Sequence, residues 1–497
     1  MTLLPWSQAA PLLMLFSSFL AGVIIFTLDE QRHVLRATLN LGAAAAKLVL
    51  VGVVLLGVAA GQTFEVAWPL VGGFDLVLRV DPLSMLFITL SAFLWFVTTV
   101  YAIGYLEGSP DRSRFFGFFS LCVTATVGIA LAGNLLTFFF FYELLTLSTY
   151  PLVVHRGTTE SLRAGRIYLL YALPASTALL AGIVGLAVLT GQTEFSPRGS
   201  GLAGVPVEDH AFELRLIFVL LIGGLAAKAA LLPLHGWLPQ AMVAPAPVSA
   251  LLHAVAVVKA GAFGIMRVVY DVYGLELAYD LGLSQGLAVL AAATILYGSV
   301  RALAQDDLKR RLAWSTVSQV SYIILGVALA GPTATLGGLV HLVHQGIMKI
   351  TLFFCAGNIA ETHHVHKIAE MNGMGRRMPW TMAAFTIAAL GMIGLPPTAG
   401  FISKWFLGVG AVEVGAWWVL VVLMVSSLLN AAYFLPLVYR AWFLPPADAT
   451  AGRADAKLTL LIPALITAAL TILLGLFANT PFTPLAWVRL IAEADHI

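Results

Sequence analysis

The sequence predicts an all-α, polytopic membrane protein with about 14 transmembrane helices. Of its 497 residues, 60% are hydrophobic and 10% are charged, and the mean hydropathy is +0.93. Soluble proteins carry about 25% charged residues. Apolar runs of about 20 residues, enough to cross about 30 Å of hydrocarbon, recur along the whole length with short connections. No stretch is left over for a soluble domain.

The first half of the chain supplies eight predicted spans. Spans one to three carry almost no internal polarity, so we expect them to form a scaffold. The first run lacks a basic n-region and a small-residue cleavage site, which favours a retained helix over a signal peptide. Span five contains Glu143, span seven contains Lys228 and Pro233, and span eight contains His253 and Lys259. Spans one to six lie near residues 11–28, 39–59, 83–105, 115–131, 135–154 and 162–189.

The second half supplies six more. Span ten opens with Asp306 and Asp307, whose carboxylates cap free amides and favour the helix dipole. Span twelve contains GLPPTAGFISKW, where two prolines interrupt the helix before Lys404. Span eleven, near residues 334–359, contains His341, His344 and Lys349. Spans nine, thirteen and fourteen are apolar and lie near residues 281–303, 417–442 and 458–477.

Two spans broken by proline beside a lysine, the seventh and the twelfth, indicate two structural repeats. Because an odd number of helices separates equivalent spans, the repeats are inverted in the membrane. Inverted repeats with broken helices at corresponding positions point to a transport site near the bilayer midplane. Backbone groups freed at such breaks are tolerated only where they line a cavity.

The distribution of basic residues predicts the orientation. The loops after odd-numbered spans hold most of the lysines and arginines, whereas the loops after even-numbered spans hold only Arg79, Arg198, Arg215 and Arg267. By the positive-inside rule the first set is cytoplasmic. We therefore expect a multi-pass protein of the cell inner membrane with both termini on the outer side.

The ionisable residues inside the spans are the candidate functional groups. A lysine at the bilayer centre costs about 2.5–3.5 kcal/mol on insertion scales, so it needs a partner or a wet cavity. Lys47 lies near a helix end, where snorkelling to the interface is expected, and snorkelling is an alternative for Lys259 as well. Among the carboxylates only Glu143 is expected to be deeply embedded. An excess of buried amines indicates lysines that spend part of their time neutral, as a proton relay requires.

These residues suggest a switch and a relay. Glu143 and Lys228 form an ion pair if their helices adjoin, and separating them in a low dielectric releases the proton. The intervening path suits His253, His341 and His344, because histidine titrates near neutrality. Lys259 and Lys349 extend that path, and Lys404 is the distal site at the exit.

Metal and cofactor chemistry is not expected. His341 and His344 could share a metal on one helix face, but no carboxylate or cysteine is placed to complete the coordination set. The spacing of His363, His364 and His366 resembles that of metal ligands. In the alternative interpretation the three histidines are solvated loop residues. The chain has no GxxxxGK[ST] loop, and its cysteines, Cys122 and Cys355, form no CxxC pair. Any redox or nucleotide chemistry then belongs to another subunit.

Between about Asp81 and Arg440 the chain resembles the antiporter-like proton-pumping subunits of respiratory complex I, multisubunit sodium/proton antiporters and membrane-bound hydrogenases. The segments that carry the resemblance are KAALLPLHGWLPQAMVAPAPVSALLHAVAVVKAG, DDLKRRLAWSTVSQVSY, HLVHQGIMKITLF and GLPPTAGFISKW. The resemblance implies two inverted five-helix repeats, spans four to eight and nine to thirteen. It also implies that Glu143 and Lys228 are the coupling pair, and that Lys259 and Lys404 hold the lysine positions of spans eight and twelve.

The resemblance also implies a division of the chain. Residues 1–110 form the scaffold, 111–275 the first repeat, 276–445 the second repeat, and 446–497 the last span and tail. The largest complex I members carry a long C-terminal lateral helix, which is not expected here, so the chain is similar to the shorter members.

The expected function is proton translocation in a complex similar to NADH:quinone oxidoreductase or of the Mrp type. Its expected partners are other membrane subunits, the bilayer, protons and, as a second candidate ion, Na⁺; no cofactor and no nucleic acid are expected. Whether the complex is an enzyme stays open at this point. The alternatives are Na⁺/H⁺ exchange, a purely structural membrane subunit, and a self-sufficient solute carrier.

Overall fold

The computed structural model of the chain describes residues 4–70, 75–446 and 452–493. The sequence also predicts that both termini lie on the outer side of the membrane. Residues 1–3 and 494–497 lie outside the described ranges. Within them, 12 helices are long and apolar enough to cross a membrane. In the first half these are Trp6–Phe26, His33–Ala59, Pro82–Tyr105, Arg112–Leu131, Leu135–Val153, Thr159–Thr190, Val207–Ala229 and Ala246–Tyr273, which are spans 1 to 8.

The second half completes the predicted set of fourteen. The remaining long helices are Leu283–Leu303, Pro332–His363, Trp417–Phe443 and Leu458–Leu476, which are spans 9, 11, 13 and 14. Span 10 is the more polar helix Leu308–Ala328, and span 12 consists of two shorter helices, Pro379–Ile393 and Ala399–Glu413. The all-α polytopic class is therefore confirmed.

Both predicted helix breaks are present. Span 7 ends at Ala229, where Ala230 adopts a left-handed conformation with φ 55°, and a short helix resumes at Trp237. Span 12 is interrupted after Ile393, where Gly394 has φ 96°. Each break includes one cis peptide bond, Leu232–Pro233 in span 7 and Pro396–Pro397 in span 12. Proline cannot donate to a helix ladder, so these sequences end a helix locally.

Equivalent spans of the two halves pack alike. Span 4 packs against span 5 as span 9 packs against span 10, and span 6 packs against span 7 as span 11 packs against the second part of span 12. Spans 8 and 11 occupy the centre, since every residue in their most apolar windows is buried. In span 2 the corresponding share is 28%, so that helix lies at the periphery.

A two-stranded antiparallel hairpin, which the sequence analysis did not include, joins spans 2 and 3. Strand β1 is Phe64–Pro69 and strand β2 is Asp75–Val80. The connection between spans 4 and 5 covers the free edge of β2, because Gly133 N–H donates to the Val77 carbonyl at 2.9 Å. Asp81 then caps span 3 by accepting the Ser84 N–H at 2.7 Å.

Candidate functional site

Lys228 lies in the last turn of the first part of span 7, beside the helix break. Its side chain is buried, and the Nζ atom donates to the Tyr142 carbonyl at 2.5 Å. The same atom lies 3.1 Å from the centroid of the Tyr142 ring, as in a cation–π contact. The carbonyl end of a helix favours a cation, so the break itself stabilises the charged form.

Glu143 does not pair directly with Lys228. Spans 5 and 7 do touch, as the prediction required, but the lysine bonds the carbonyl of the preceding residue, and no ion pair within 4.0 Å joins the two among the described residues. The Glu143 carboxylate instead accepts a hydrogen bond from the Ser176 hydroxyl on span 6. The prediction of a direct ion pair is therefore wrong, because residue 142 and not residue 143 faces span 7.

Glu143 is also less embedded than predicted. It is half-buried and shares a helix face with two exposed residues, Phe140 and Leu147, which are 56% and 64% exposed. These residues line a groove of about 600 Å³ on the outside of the subunit. The carboxylate therefore faces the lateral surface of the protein, where lipid or a neighbouring subunit lies.

Lys259 occupies the crossing of spans 8 and 11. Its side chain is fully buried, and its Nζ donates to the Leu342 carbonyl at 2.8 Å and to the Gln345 side-chain oxygen. The alternative in which Lys259 snorkels to an interface is therefore wrong. Gly261 packs directly on the backbone at Lys228, since a Cβ atom there would lie 2.8 Å from the Lys228 carbonyl carbon. This close contact brings spans 7 and 8 together at their lysines.

His253 and Lys349 extend the buried series. His253 lies in a π-helical turn, Leu251–Val255, a type of distortion that is frequent at functional sites. Its ring packs on Phe353 at 4.6 Å, and neither ring nitrogen has a hydrogen-bond partner in the described part of the chain. Lys349 on span 11 donates to the Ser315 hydroxyl of span 10.

Lys404 reaches across the break in span 12. Its Nζ donates to the carbonyls of Met392 and Ile393 at 3.0 and 2.8 Å, which end the first part of that span, and to Ser427 at 3.2 Å. Lys228 and Lys404 thus both lie at the carbonyl end of a broken helix. Lys228 belongs to the helix that ends there, whereas Lys404 comes from the helix that follows.

The histidines of span 11 lie between these sites. The Nδ1 atom of His341 is 2.8 Å from the Ser403 hydroxyl, next to Lys404 in sequence. His341 lies within electrostatic range of both Lys259 and Lys404. His344 is buried one turn away. Within residues 4–70, 75–446 and 452–493, no three His, Cys, Asp or Glu side chains converge as a metal site requires.

Span 10 supplies a polar face that the sequence analysis missed. Gln319 is fully buried, and neither of its side-chain polar atoms has a partner within the described ranges. The Tyr322 ring lies 5.2 Å from the Lys404 Nζ atom. The run STVSQVSY carried the signal, because its polar residues are unusual in a span. The other buried polar residues of this run are Ser315, Thr316, Ser318 and Ser321.

Two further basic residues are not where the sequence placed them. Arg267, predicted in an outer loop, is buried in span 8 and bonds Asp81 and Asp271, each at 2.7 Å. Asp271 is 2% exposed, so Glu143 is not the most deeply embedded carboxylate. Lys47, predicted to snorkel, is fully buried and donates to the Ser18 hydroxyl at 2.6 Å.

Comparison with known proteins identifies a family. Residues 132–430 match the family model described as NADH:quinone oxidoreductase/Mrp antiporter, TM. Residues 68–116 match the model described as NADH-Ubiquinone oxidoreductase (complex I), chain 5 N-terminus.

Curated relatives match over most of this chain. NADH-quinone oxidoreductase subunit N of Desulforudis audaxviator is 38% identical over 426 residues, which cover 82% of this chain and 83% of that protein. Hydrogenase-4 component B of Escherichia coli is 32% identical over 437 residues, which cover 82% of this chain and 63% of that protein. The match therefore spans less than two thirds of the hydrogenase component.

Two solved structures share the fold. A chain of the Mrp complex from Dietzia sp. DQ12-45-1b superposes with a TM-score of 0.85 at 23% identity, covering 99% of this chain and 100% of that chain. A chain of a membrane-bound sulfane sulfur reductase, an archaeal respiratory membrane complex, superposes with a TM-score of 0.86 at 24% identity, covering 98% and 96%. From these matches we conclude that the chain belongs to the family of antiporter-like membrane subunits common to NADH:quinone oxidoreductases and Mrp antiporters.

Proposed function

We propose that this chain is a proton-translocating subunit of a multisubunit membrane complex. The observation that carries the proposal is the series of buried amines and imidazoles at the centre of the fold, which includes Lys228, Lys259, Lys349 and Lys404. Its relatives are subunits or components named for NADH-quinone oxidoreductase and hydrogenase-4, and its structural neighbours belong to membrane complexes. We infer that other membrane subunits are its partners.

The buried groups favour protons over metal cations as the transported ion. Na⁺ binds to oxygen ligands, whereas this series presents nitrogen atoms that are positively charged whenever they are protonated. Several such charges cannot remain in the interior together without opposite partners, because each unpaired buried charge costs several kcal/mol. The amines must therefore alternate between charged and neutral forms. Alternation of this kind is a proton relay.

Each transfer moves one proton between neighbouring groups. An ammonium N–H bond of one lysine breaks as a new N–H bond forms on a neutral amine or imidazole, directly or through a hydroxyl group or water. The proton enters the series at Lys228 and leaves it at Lys404. Between them it passes through Lys259, His253, Lys349, His344 and His341. The Ser315 hydroxyl contacts Lys349 and the Ser403 hydroxyl contacts His341, so each can exchange a proton with that member of the series.

Glu143 has a different position in this scheme from the one its sequence suggested. Its carboxylate faces the lateral surface, and Lys228 contacts the adjacent carbonyl on the same helix turn. A change in charge at that surface acts on Lys228 over a short distance through a low-dielectric interior. Glu143 and Lys228 therefore work as a switch without a direct bond between them.

The orientation and the division into repeats complete the proposal. The basic loops after odd-numbered spans face the cytoplasm of a cell whose inner membrane holds the protein, and both termini lie on the outer side. Residues 111–275 and 276–445 form the two inverted repeats. Residues 1–110 form the scaffold, and residues 446–497 add the last span and tail.

The test is proton uptake by the assembled parent complex in vesicles. We expect Lys228→Ala and Lys404→Ala to lower the uptake rate about 100-fold, at the lower end of what a proton-transfer group contributes. Glu143→Gln tests the switch in the same assay. Lys457→Ala is the control, because this lysine is 70% exposed and its ion pair within the described residues is with Glu107, which is 68% exposed.

The outcomes separate the alternatives. A purely structural subunit predicts that Lys228→Ala pumps as well as the parent complex. A self-sufficient carrier predicts ion transport by the purified chain alone. If the lysine variants assemble and pump at the rate of Lys457→Ala, the proposed relay is rejected.

A further inference from the structure

A second polar track lies where spans 1 and 2 of the scaffold segment meet span 4, the first helix of the first repeat. On span 2, Arg36, Asn40 and Lys47 are separated by four and seven residues, which places them on one helix face. On span 4, Ser113, Ser120 and Thr124 are separated by seven and four residues and share a face for the same reason. The two faces meet in the structure.

Side chains from these faces are hydrogen-bonded across the helices at three successive levels. Arg36 donates to the Ser113 hydroxyl at 2.6 Å, and the Ser120 hydroxyl donates to the Asn40 side-chain oxygen at 3.4 Å. Lys47 donates to the Ser18 hydroxyl at 2.6 Å, and the Ser18 and Thr124 hydroxyls lie 2.8 Å apart. None of these side chains is more than 6% exposed, so the track is enclosed by protein.

The track opens at one membrane surface and ends inside. Arg36 lies 4.0 Å from the Glu30 carboxylate, which is 43% exposed. Glu30 also accepts the backbone N–H groups of Arg112 and Ser113 at 3.0 and 2.8 Å. From Arg36 to Lys47 the helix rises about 16 Å, roughly half the thickness of the hydrocarbon. Polar side chains at three levels therefore lie between an exposed carboxylate and the middle of the membrane.

Lys47 has the surroundings of a group that titrates. Its Nζ lies 5.0 Å from the centroid of the Trp95 ring, whose buried Nε1 has no partner in the described part of the chain. An ammonium has three donors, and Ser18 is its only hydrogen-bond acceptor within the described ranges. The groups that face Lys47 from spans 1, 3 and 4 are uncharged, and the charged residues of these helices are Arg112 and Arg114 at the start of span 4. On span 2 itself the preceding charged residue is Arg36, and Glu30 lies in the connection before that helix.

We propose that Lys47 is a proton-binding site outside the two repeats, loaded through this track from the surface that carries Glu30. In the loading step an O–H bond of a hydrated proton breaks and the lone pair of the neutral Nζ forms an N–H bond. In the release step that N–H bond breaks as a water oxygen takes the proton and forms an O–H bond. The proposal rests on the proposed proton-translocating function. It adds a proton-binding site in the scaffold segment, residues 1–110, to the buried groups of the two repeats.

The experiment compares Lys47→Met and Lys47→Arg in the assembled complex in vesicles. Both are expected to lower proton uptake about 100-fold, the lower end of what a proton-transfer group contributes, because methionine binds no proton and arginine does not release one. Val51→Ala, one turn further along the same buried face, is the packing control and should pump normally. Ser120→Ala interrupts the track without changing the lysine and should also slow uptake.

Each outcome has one meaning. Normal uptake by Lys47→Arg shows that the lysine serves only as a fixed cation, and the proposal is overturned. If Lys47→Met does not assemble, Ser120→Ala decides, and unchanged uptake by that variant overturns the proposal. Loss of uptake in Lys228→Ala together with normal uptake in all variants of the track rejects this site and leaves the central relay standing.

Discussion

The Arg267 guanidinium joins span 3 to span 8 by bonding Asp81 and Asp271, each at 2.7 Å. It also packs against the rings of Phe195 and Phe263 at 5.3 and 5.1 Å. Removing one member of a buried ion pair costs about 3–5 kcal/mol. We therefore expect Arg267→Leu to lower the free energy of unfolding by about that amount, measured by thermal unfolding in detergent.

The matched control is Arg79→Leu on the same side of the membrane. Arg79 is 29% exposed and bonds Glu65 at 2.6 Å, so this pair is partly screened by solvent. Such pairs contribute about 0–1 kcal/mol. Equal losses of stability in the two variants would show that burial of the Arg267 cluster has no energetic consequence.

Glu30 predicts a pH dependence of stability. Burial alone raises its pKa, but the N–H groups of Ser113 and Arg112 and the charges of Arg36 and Arg112 outweigh burial and lower it. A carboxyl with a lowered pKa in the folded state stabilises the fold above its unfolded value of about 4.3, and this contribution is lost as the pH falls through the folded pKa. Glu30→Gln should therefore melt at a lower temperature than the parent at pH 7.

Acidification provides the check on this effect. The difference in melting temperature between Glu30→Gln and the parent should shrink as the pH falls from about 4.3 through the lowered folded pKa of Glu30, below which both side chains are neutral. A difference that stays constant over the whole range would assign the effect to packing instead of ionisation.

The ionisable residues were found from the sequence, but their surroundings were not. A lysine in an apolar run is visible in any hydropathy profile, and this identified Lys228, Lys259, Lys349 and Lys404. Whether such a group faces lipid, a hydroxyl or a carbonyl depends on the neighbouring helix. Lys47 was misjudged for this reason, because Ser18 and Thr124 lie on other spans. Glu143 was misjudged because adjacent residues of a helix point in different directions. Tyr142, and not Glu143, points towards span 7.

At the scale of helices, the breaks were predictable and the π-helical turns were not. Proline after Lys228 and the Pro396–Pro397 pair act within a few residues of the chain, so the sequence alone indicates where the helix ends. The π-helical segments Leu251–Val255 and Val268–Tyr273 contain no proline or glycine. The first segment packs against spans 3 and 11, and the second packs against the connection Pro197–Leu202 and span 7. No local sequence pattern describes such contacts.

The break in span 12 depends on a close contact with span 14. A Cβ atom at Gly475 would lie 2.0 Å from the Pro397 carbonyl oxygen, which is backbone and cannot rotate away. We expect Gly475→Ala to cost about 1–3 kcal/mol through overpacking and to lower proton uptake by displacing the carbonyls that Lys404 contacts. Thermal unfolding and vesicle uptake measure the two effects.

Gly42→Ala is the control for helix propensity. A Cβ atom there would meet nothing within 4 Å, so the variant should be as stable as the parent or gain up to about 1 kcal/mol. If Gly475→Ala behaves like Gly42→Ala, span 14 does not constrain the break.

The orientation of the whole molecule can be tested with introduced cysteines. The native thiols, Cys122 and Cys355, are both buried, so a new exposed cysteine should dominate labelling. Ser200→Cys lies in the connection after span 6, and Ala304→Cys lies in the connection after span 9. A membrane-impermeant maleimide added to intact cells should label the first and not the second. The opposite pattern would reverse the proposed orientation.

The general architecture was predictable because the bilayer constrains it. The length of each apolar run predicts a span, and the positions of the breaks predict that the two halves are inverted relative to each other. The hairpin strands Phe64–Pro69 and Asp75–Val80 were missed, since each is far too short to register as a span in a hydropathy profile. Family membership was also predictable, and the matches over residues 132–430 and 68–116 confirm it.

The complete enclosure of spans 8 and 11 has a consequence for biogenesis. Both carry ionisable residues, and neither exposes any part of its most apolar window in the finished fold. Span 8 leaves the ribosome after seven helices that can receive it, whereas span 11 leaves before spans 12 to 14, which later cover it. We expect span 11 to need temporary shelter during synthesis, from an insertase or from the growing protein itself, and to be the segment that membrane quality control meets first when assembly stalls.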